Sequence, residues 1–484
     1  MYGSRSRKSF LFAAVMLSLF SYSASGYVLI DDEPEITDRV ARISFIEGDV
    51  QIRRSENVDW EKAALNLPIV EGDIIATGPR ARVEIQLNSR NYLRLGEDSL
   101  LSLTTLQDAG IAVSLQQGKL LLRVNDISID REYLEIDAPR STIAIQRSGE
   151  YFIDAALNSD EVLISVFDDG EARIYSETSG FTLRDGRSAR LLISGRNAGE
   201  WDLSGSSYLA DPIFAWARTR DNEIAQRLKR SHYDQYYDRD IYGADELTDY
   251  GDWTFDRDYG YIWSPHQRSI SYYSNWSPYR YGHWRWLPSF GWTWVNDEPW
   301  GWATYHYGRW IWVKGRWYWT PYAYYRYSRS WWRPAIVYIT VVNNNVCWYP
   351  LSYHQRWYNY NRNYNRRHRQ GNPNPGPVAT NPTPLPSPVP VDNEGPRGPR
   401  RFPNSQDLPD TGVITVSKED FGKWNVRWTH PFLRVPYKKQ GSGEKCFNKT
   451  LLKSRLRQHS IRQTRTVLHT VCSHDASCRK RIRR

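Results

Sequence analysis

Four residues near the C-terminus, His469, Cys472, His474 and Cys478, have the side chains of a zinc site at a metal-like spacing, H-x2-C-x-H-x3-C. A structural zinc site needs two separated ligand pairs presented by a turn and a helix. No apolar period surrounds these four, so no metal and no cofactor is expected. His306 stands in WATYHYGRW, where an imidazole among rings reads as a packed side chain with a local hydrogen bond. Asp297 and Glu298 precede Pro299 and read as carboxylates capping a turn. Glycoside hydrolysis needs two carboxylates facing one cleft, which spacing alone neither supplies nor excludes. There is no Gly-x-Ser-x-Gly elbow and no phosphate-binding loop. The chain reads as a non-enzyme.

The chemistry left is that of aromatic surfaces. Between Tyr250 and Trp357 lie 17 of the 22 tryptophans. Ten form Trp-x-Trp pairs: Trp284 and Trp286, Trp292 and Trp294, Trp300 and Trp302, Trp310 and Trp312, Trp317 and Trp319. On a strand, residues two apart share a face, so each pair predicts an aromatic stripe. Aliphatic residues between Tyr250 and Pro334 are only Ile262, Ile270, Leu287, Val295, Ile311 and Val313. Rings must therefore supply the interior, at about 150–250 Å² of burial each. The excess is expected to face outward, and exposed aromatic patches mark interaction surfaces. The ten paired tryptophans are the candidate binding platform.

A Tyr-Gly-x-Trp unit recurs at Gly251/Trp253, Gly282/Trp284 and Gly308/Trp310, and Gly-x-x-Trp at Gly260/Trp263 and Gly291/Trp294. Such repetition predicts stacked β-hairpins of one type over residues 250–357. Upstream, residues 40–195 alternate short β-branched runs (Ala41–Phe45, Val83–Leu87, Ile111–Leu115, Leu120–Val124, Val162–Val166) with Gly and Asp turns. That pattern describes an all-β domain. Between the two, Asp211-Pro212 opens a helix over 211–235, with Ile213, Ala217, Ile224 and Leu228 on one face and Arg218, Arg220, Asp221 and Arg227 elsewhere.

The ends differ in kind. Arg5, Arg7 and Lys8 precede an apolar run, Phe10 to Phe20, and then small residues. Residues 1–26 thus read as a secretory signal too short to span a bilayer. Twelve prolines fall between Gly371 and Asp410, so 365–411 is expected to be an extended linker. Residues 412–484 are expected to be a disordered basic tail, although Ile414–Phe421 (ITVSKEDF) regains strand character and suits a short docking segment. From Gly422 onward the net charge is +15, against −5 for the rest. The overall +10 is therefore no footprint of nucleic-acid binding. Only Cys347 of the four cysteines precedes the tail, and it reads as a small buried residue.

Two resemblances follow from the motifs. EGDIIATGPRARVEIQL (Glu71–Leu87), YLRLGEDSLLSL (Tyr92–Leu103), QGKLLLRV (Gln117–Val124) and IDAPRSTIAIQRSGEYFID (Ile136–Asp154) resemble the FecR domain. SPYRYGHW (Ser277–Trp284), GWTWVNDEPWGWATYHYGRW (Gly291–Trp310) and the Pro334–Trp357 close resemble an uncharacterised Trp/Tyr-rich repeat domain found after FecR domains in exported bacterial proteins. Relay of a signal to a sigma factor, known in the FecR family, needs a cytoplasmic segment and a spanning helix where this chain has its signal sequence. The expected fold class is mainly β: a FecR-like sandwich, roll or solenoid, a linking helix, a Trp/Tyr-rich hairpin domain, then the Pro-rich and basic tail. The expected function is that of a periplasmic or surface scaffold binding an envelope protein. A carbohydrate-binding module for peptidoglycan or exopolysaccharide and a FecR-type signalling component are the alternatives. No nucleic-acid partner is expected.

Overall fold

A computed structural model describes residues 39–155, 160–206, 211–287, 289–323, 332–342, 344–353, 409 and 412–422. The residues read as a signal sequence (1–26), the Pro-rich stretch apart from Pro409, the tail beyond Gly422 and its His/Cys cluster lie outside the described residues.

The first domain begins with β1 (Ala41–Glu47), β2 (Val50–Arg53), β3 (Glu61–Lys62), β4 (Pro68–Ile69), β5 (Ile74–Thr77), β6 (Arg82–Gln86), β7 (Asn91–Leu95), β8 (Leu100–Gln107) and the long β9 (Gly110–Val124). It continues with β10 (Tyr133–Ala138), β11 (Ser141–Ile145), β12 (Gly149–Ala155), β13 (Glu161–Phe167), β14 (Glu171–Ser176), β15 (Gly180–Arg184), β16 (Arg187–Leu192) and β17 (Trp201–Gly205). One layer has the order β3-β2-β5-β8-β9-β10-β11-β14-β15. The other runs β4-β1-β6-β7-β9-β12-β13-β16-β17. β9 serves both: its residues up to Gln117 pair with β8, and those from Gly118 on pair with β12. The sequence reason is alternation. Val83, Ile85, Leu93, Leu95, Leu120, Leu122, Ile153 and Ile164 point into one shared core, while the residues between them face the other way.

On the second layer that outer face is not left to water. Leu121, Phe152 and Phe167 pack against Ile213, Phe214, Trp216 and Ala217 of helix α1 (Pro212–Ser231). Asp211 caps α1 by accepting from the Ile213 N–H at 3.0 Å, and Pro212 stands in the first turn. One turn further, the sheet face changes from apolar to charged. Glu84 and Arg94 lie opposite each other on β6 and β7, both fully buried and paired at 2.9 Å. The helix answers with Arg220, 2.9 Å from Glu84, and Asp221, 2.5 Å from Arg94. This corrects the sequence reading, which sent Arg220 and Asp221 away from the packed face. The helix lies over a mixed surface, and its charges neutralise the charges beneath.

The second domain contains α2 (Tyr233–Tyr236), α3 (Leu247–Tyr250), α4 (Gln267–Ile270) and α5 (Gly301–His306) among its strands. Its hairpins are β18–β19 (Gly251–Asp256, Gly260–Pro265), β20–β21 (Gly282–Leu287, Gly291–Asn296) and β22–β23 (Arg309–Val313, Arg316–Thr320). Each carries the same tryptophan pair across its strands: Trp253 with Trp263, Trp284 with Trp294, Trp310 with Trp319. The glycine of each Tyr-Gly-x-Trp unit makes room for the partner ring. At Gly308, with φ 62°, a Cβ would sit 2.0 Å from the Thr320 carbonyl and 2.9 Å from Trp319 Nε1. Gly251 lies likewise under Trp263, and Gly282 under Trp294. The repeat is thus a ring-over-glycine hairpin.

The first and third hairpins join in the order β18-β19-β23-β22, through the single pair Trp263 and Trp319, and the middle hairpin stands apart. A third group is β24 (Val337–Val342), β25 (Asn345–Pro350) and β26 (Ile414–Ser417).

A polar seam joins the two domains. Arg42 of β1 is paired with Glu246 at 2.7 Å, Asn66 donates to the Pro299 carbonyl at 3.0 Å, Arg285 pairs with Glu61, and the Tyr242 hydroxyl donates to the Val40 carbonyl.

Candidate interaction surface

The ten paired tryptophans are mostly interior. Trp284, Trp294, Trp300, Trp302, Trp310, Trp317 and Trp319 are buried, and Trp286, Trp292 and Trp312 are half-buried. The expected outward platform is therefore not built from this set. Nor do Trp300 and Trp302 form a strand stripe: Trp302 lies in α5, with Trp300 just before it. Pro299 and Gly301 break the strand there, and the Gly301 N–H donates to the Glu298 carbonyl at 3.0 Å to open the helical turn. The buried rings meet mainly edge to face, as in Trp284–Trp294 at 5.3 Å and Trp284–Trp348 at 5.7 Å, the arrangement that ring quadrupoles favour.

Glu298 is not a turn cap. Its carboxylate is buried within the aromatic interior, where Oε1 accepts from the Tyr305 hydroxyl at 2.7 Å and from Trp276 Nε1 at 2.9 Å. Oε2 has no hydrogen-bond partner among the described residues. Burial pushes its carboxyl up to about 8, against the opposing pull of the Tyr305 and Trp276 donors. His306 behaves as a packed ring. It lies 4.9 Å from Trp332 in a stacked arrangement, its Nδ1 is 2.7 Å from the Arg333 carbonyl, and burial holds it down at about 4. The two groups act on opposite limbs of the stability curve. A carboxyl whose folded value is raised contributes stability that is complete below about 4.5 and is lost as pH rises through about 8. A lowered imidazole contributes stability above about 6.5 that is lost as pH falls through about 4. Glu298→Gln keeps the acceptor for Tyr305 and Trp276 but cannot ionise. It is expected to flatten the loss of thermal stability between pH 6.5 and 8.5. An unchanged slope in calorimetric scans of the variant would show that Glu298 is not the group responsible.

Exposed rings lie elsewhere. On the first hairpin Phe255 is 64% exposed and sits opposite Tyr261, their rings 5.3 Å apart. Tyr236 of α2 stacks on Trp253 at 5.2 Å and meets Tyr261 at 4.8 Å. Gln235 Nε2 donates to the Tyr261 hydroxyl at 2.8 Å, and exposed His232 closes the edge, 5.6 Å from Tyr236. Trp253, Tyr261 and Tyr236 are half-buried. This makes a contiguous aromatic face with an amide, an imidazole and the Asp234 carboxylate close in sequence. The sequence carried a signal for it: Phe255 stands in DWTFDRDYG, where flanking charges mark a hairpin tip in water.

Cys347 is buried in β25, where the Thr415 hydroxyl lies 3.6 Å from its sulfur. It is the small buried residue that the sequence suggests, 1% exposed. Among the described residues, no cluster of His, Cys, Asp and Glu could hold a metal ion, and no helix is long and apolar enough to cross a membrane.

Residues 73–171 match the family described as FecR protein; the chain carries a FecR domain. More particularly, residues 244–355 match a family of unknown function (DUF6600), so a FecR domain is followed by a DUF6600 domain in one polypeptide. Both resemblances read from the sequence hold. Two solved structures are similar over part of the chain, each a crystal structure of a putative anti-sigma factor from Parabacteroides distasonis ATCC 8503, at 1.65 and 2.50 Å resolution. Each is 12% identical, with a TM-score of 0.26. They cover 30% and 32% of this chain, which spans 64% and 72% of theirs. No curated protein matches the chain.

Proposed function

We propose that this chain is an exported, non-enzymatic envelope protein, periplasmic or at the cell surface, which holds a partner protein of the envelope on the aromatic face of its first hairpin. The observation that carries this reading is the contiguous cluster Phe255, Tyr261, Tyr236 and Trp253, left at the surface while most other rings are consumed as core. A ring kept in water at 64% exposure contributes little to folding, and such patches serve binding. Polysaccharide is the alternative occupant, because flat rings beside Gln235 and His232 suit stacking on sugar faces with hydrogen bonds to hydroxyls. A FecR-type signalling component is a further reading, favoured by the match over 73–171; an unchanged transcriptome on deletion of the gene would remove it.

The test uses the mature chain and the double variant Phe255→Ala/Tyr261→Ala against insoluble peptidoglycan, exopolysaccharide and a solubilised envelope-protein fraction, with tryptophan fluorescence alongside. Removing both rings is expected to weaken retention about tenfold or more, the loss typical of a central aromatic anchor. Retention on the glycans alone selects the sugar reading. Equal retention of both chains on every fraction removes this surface as the binding site.

A further inference from the structure

We propose that the segment Gly412–Gly422 docks onto β25 of a second copy of this chain as well as onto its own, so that copies are linked by strand exchange.

The acceptor is well formed. β25 receives β26 antiparallel, from Asn345 opposite Ser417 to Trp348 opposite Ile414, and the Lys418 N–H continues the ladder to the Asn344 carbonyl at 3.0 Å. Beyond the strand, Phe421 enters a notch of three indoles: Trp292 at 5.0 Å, Trp284 at 5.8 Å and Trp348 at 6.1 Å. Gly412 abuts Trp317 of the third hairpin and Gly422 abuts Trp292 of the second. The segment thereby bridges sub-sheets that do not pair with each other.

The plug carries its recognition within itself. Val413 and Ile414 are its buried anchors. Its turn is closed internally: the Ser417 hydroxyl donates to Asp420 at 2.6 Å, and the Phe421 N–H donates to the Ser417 carbonyl at 3.1 Å. That turn aims the phenyl ring. These contacts come from residues 412–422, so the acceptor has no means to tell whose chain supplied them. Residues 354–411 lie between Tyr353 and the plug, with twelve prolines from Gly371 to Asp410. A long tether lowers the effective concentration of a chain's own plug, and exchanging an identical strand between copies creates no new interface. Extended segments are captured this way at open sheet edges.

Two full-length preparations with different tags, one Asn345→Cys and the other Ser417→Cys, are mixed at rising concentration and mildly oxidised. Exchange predicts a covalent heterodimer carrying both tags, increasing with concentration and lost when Ile414→Asp or Phe421→Ala is added to the Ser417→Cys chain. A double variant, Asn345→Cys/Ser417→Cys, reports docking within one chain. If it closes internally while the mixture gives no heterodimer, the exchange is overturned. A heterodimer indifferent to both plug variants is an adventitious cysteine link and overturns it too. If neither link forms, the docking itself is overturned.

Discussion

Glu84→Gln is expected to lower folding stability by about 3–5 kcal/mol, the loss that follows when a buried ion cluster is left with unmatched charge. Glu84 is fully buried, and it holds Arg94 at 2.9 Å through one oxygen and Arg220 at 2.9 Å through the other. Its Oε1 also accepts from the Ser44 hydroxyl at 2.8 Å. Burial alone would push this carboxyl up, but Arg220 and Arg94 outweigh it and hold the value below the usual carboxylate range. The amide keeps the shape and removes the charge, so two guanidinium groups in a dry place lose the carboxylate between them and keep Asp221 and Glu223 as their paired counter-charges. The loss should lift α1 from the sheet first. A shift in the denaturant midpoint with an early rise in α1 amide exchange checks it; a change below about 1 kcal/mol, the scale of an exposed pair, would mean the cluster is wet.

Trp319→Ala should be about as damaging, again about 3–5 kcal/mol, the range for a large aromatic removed from a close-packed interior. Trp319 is fully buried, donates Nε1 to the Tyr307 carbonyl at 2.9 Å, covers Gly308, and forms with Trp263 the pair that joins the first hairpin to the third. Deleting it leaves a cavity, an unsatisfied carbonyl and Trp253 without the ring it meets at 5.9 Å. Trp312→Ala, at a half-buried position of the same hairpin, is expected to cost about 1 kcal/mol or less, near the worth of one ring pair. Equal losses for the two, measured by chemical denaturation and near-ultraviolet dichroism, would refute the division between interior and rim.

Much of this fold was legible in the residues because period-two alternation is a direct imprint of the pleat. Val83-Glu84-Ile85 declares a strand and its two faces, Asp211-Pro212 declares a helix start, and Gly260, Gly291 and Gly315 stand at hairpin turns with φ near +77°. What alternation cannot declare is what covers a face. Glu84 and Arg94 look like solvent positions until a helix bearing Arg220 and Asp221 lies over them. The tryptophans raised the same difficulty: spacing shows which indoles share a side, while the side chosen for the interior depends on how separate hairpins meet. Trp300-Gly301-Trp302 imitates a strand pair and becomes a helix because Pro299 and Gly301 decide locally. The aromatic surface was missed because attention follows the paired indoles, whereas the exposed ring is a single phenylalanine among charges. The ITVSKEDF segment was legible as a strand, but its mate lies far back in the chain, and nothing local identifies β25.

The contacts of Arg42 with Glu246, Asn66 with Pro299 and Arg285 with Glu61 have a practical corollary for anyone dividing this polypeptide. Severing it after α1 would take Glu246 from Arg42 and Glu61 from Arg285, leaving those buried or half-buried guanidinium groups without these carboxylates. The two modules are therefore a bracket cast in one piece, and a grip on the hairpin end sets the bearing of the sandwich behind it.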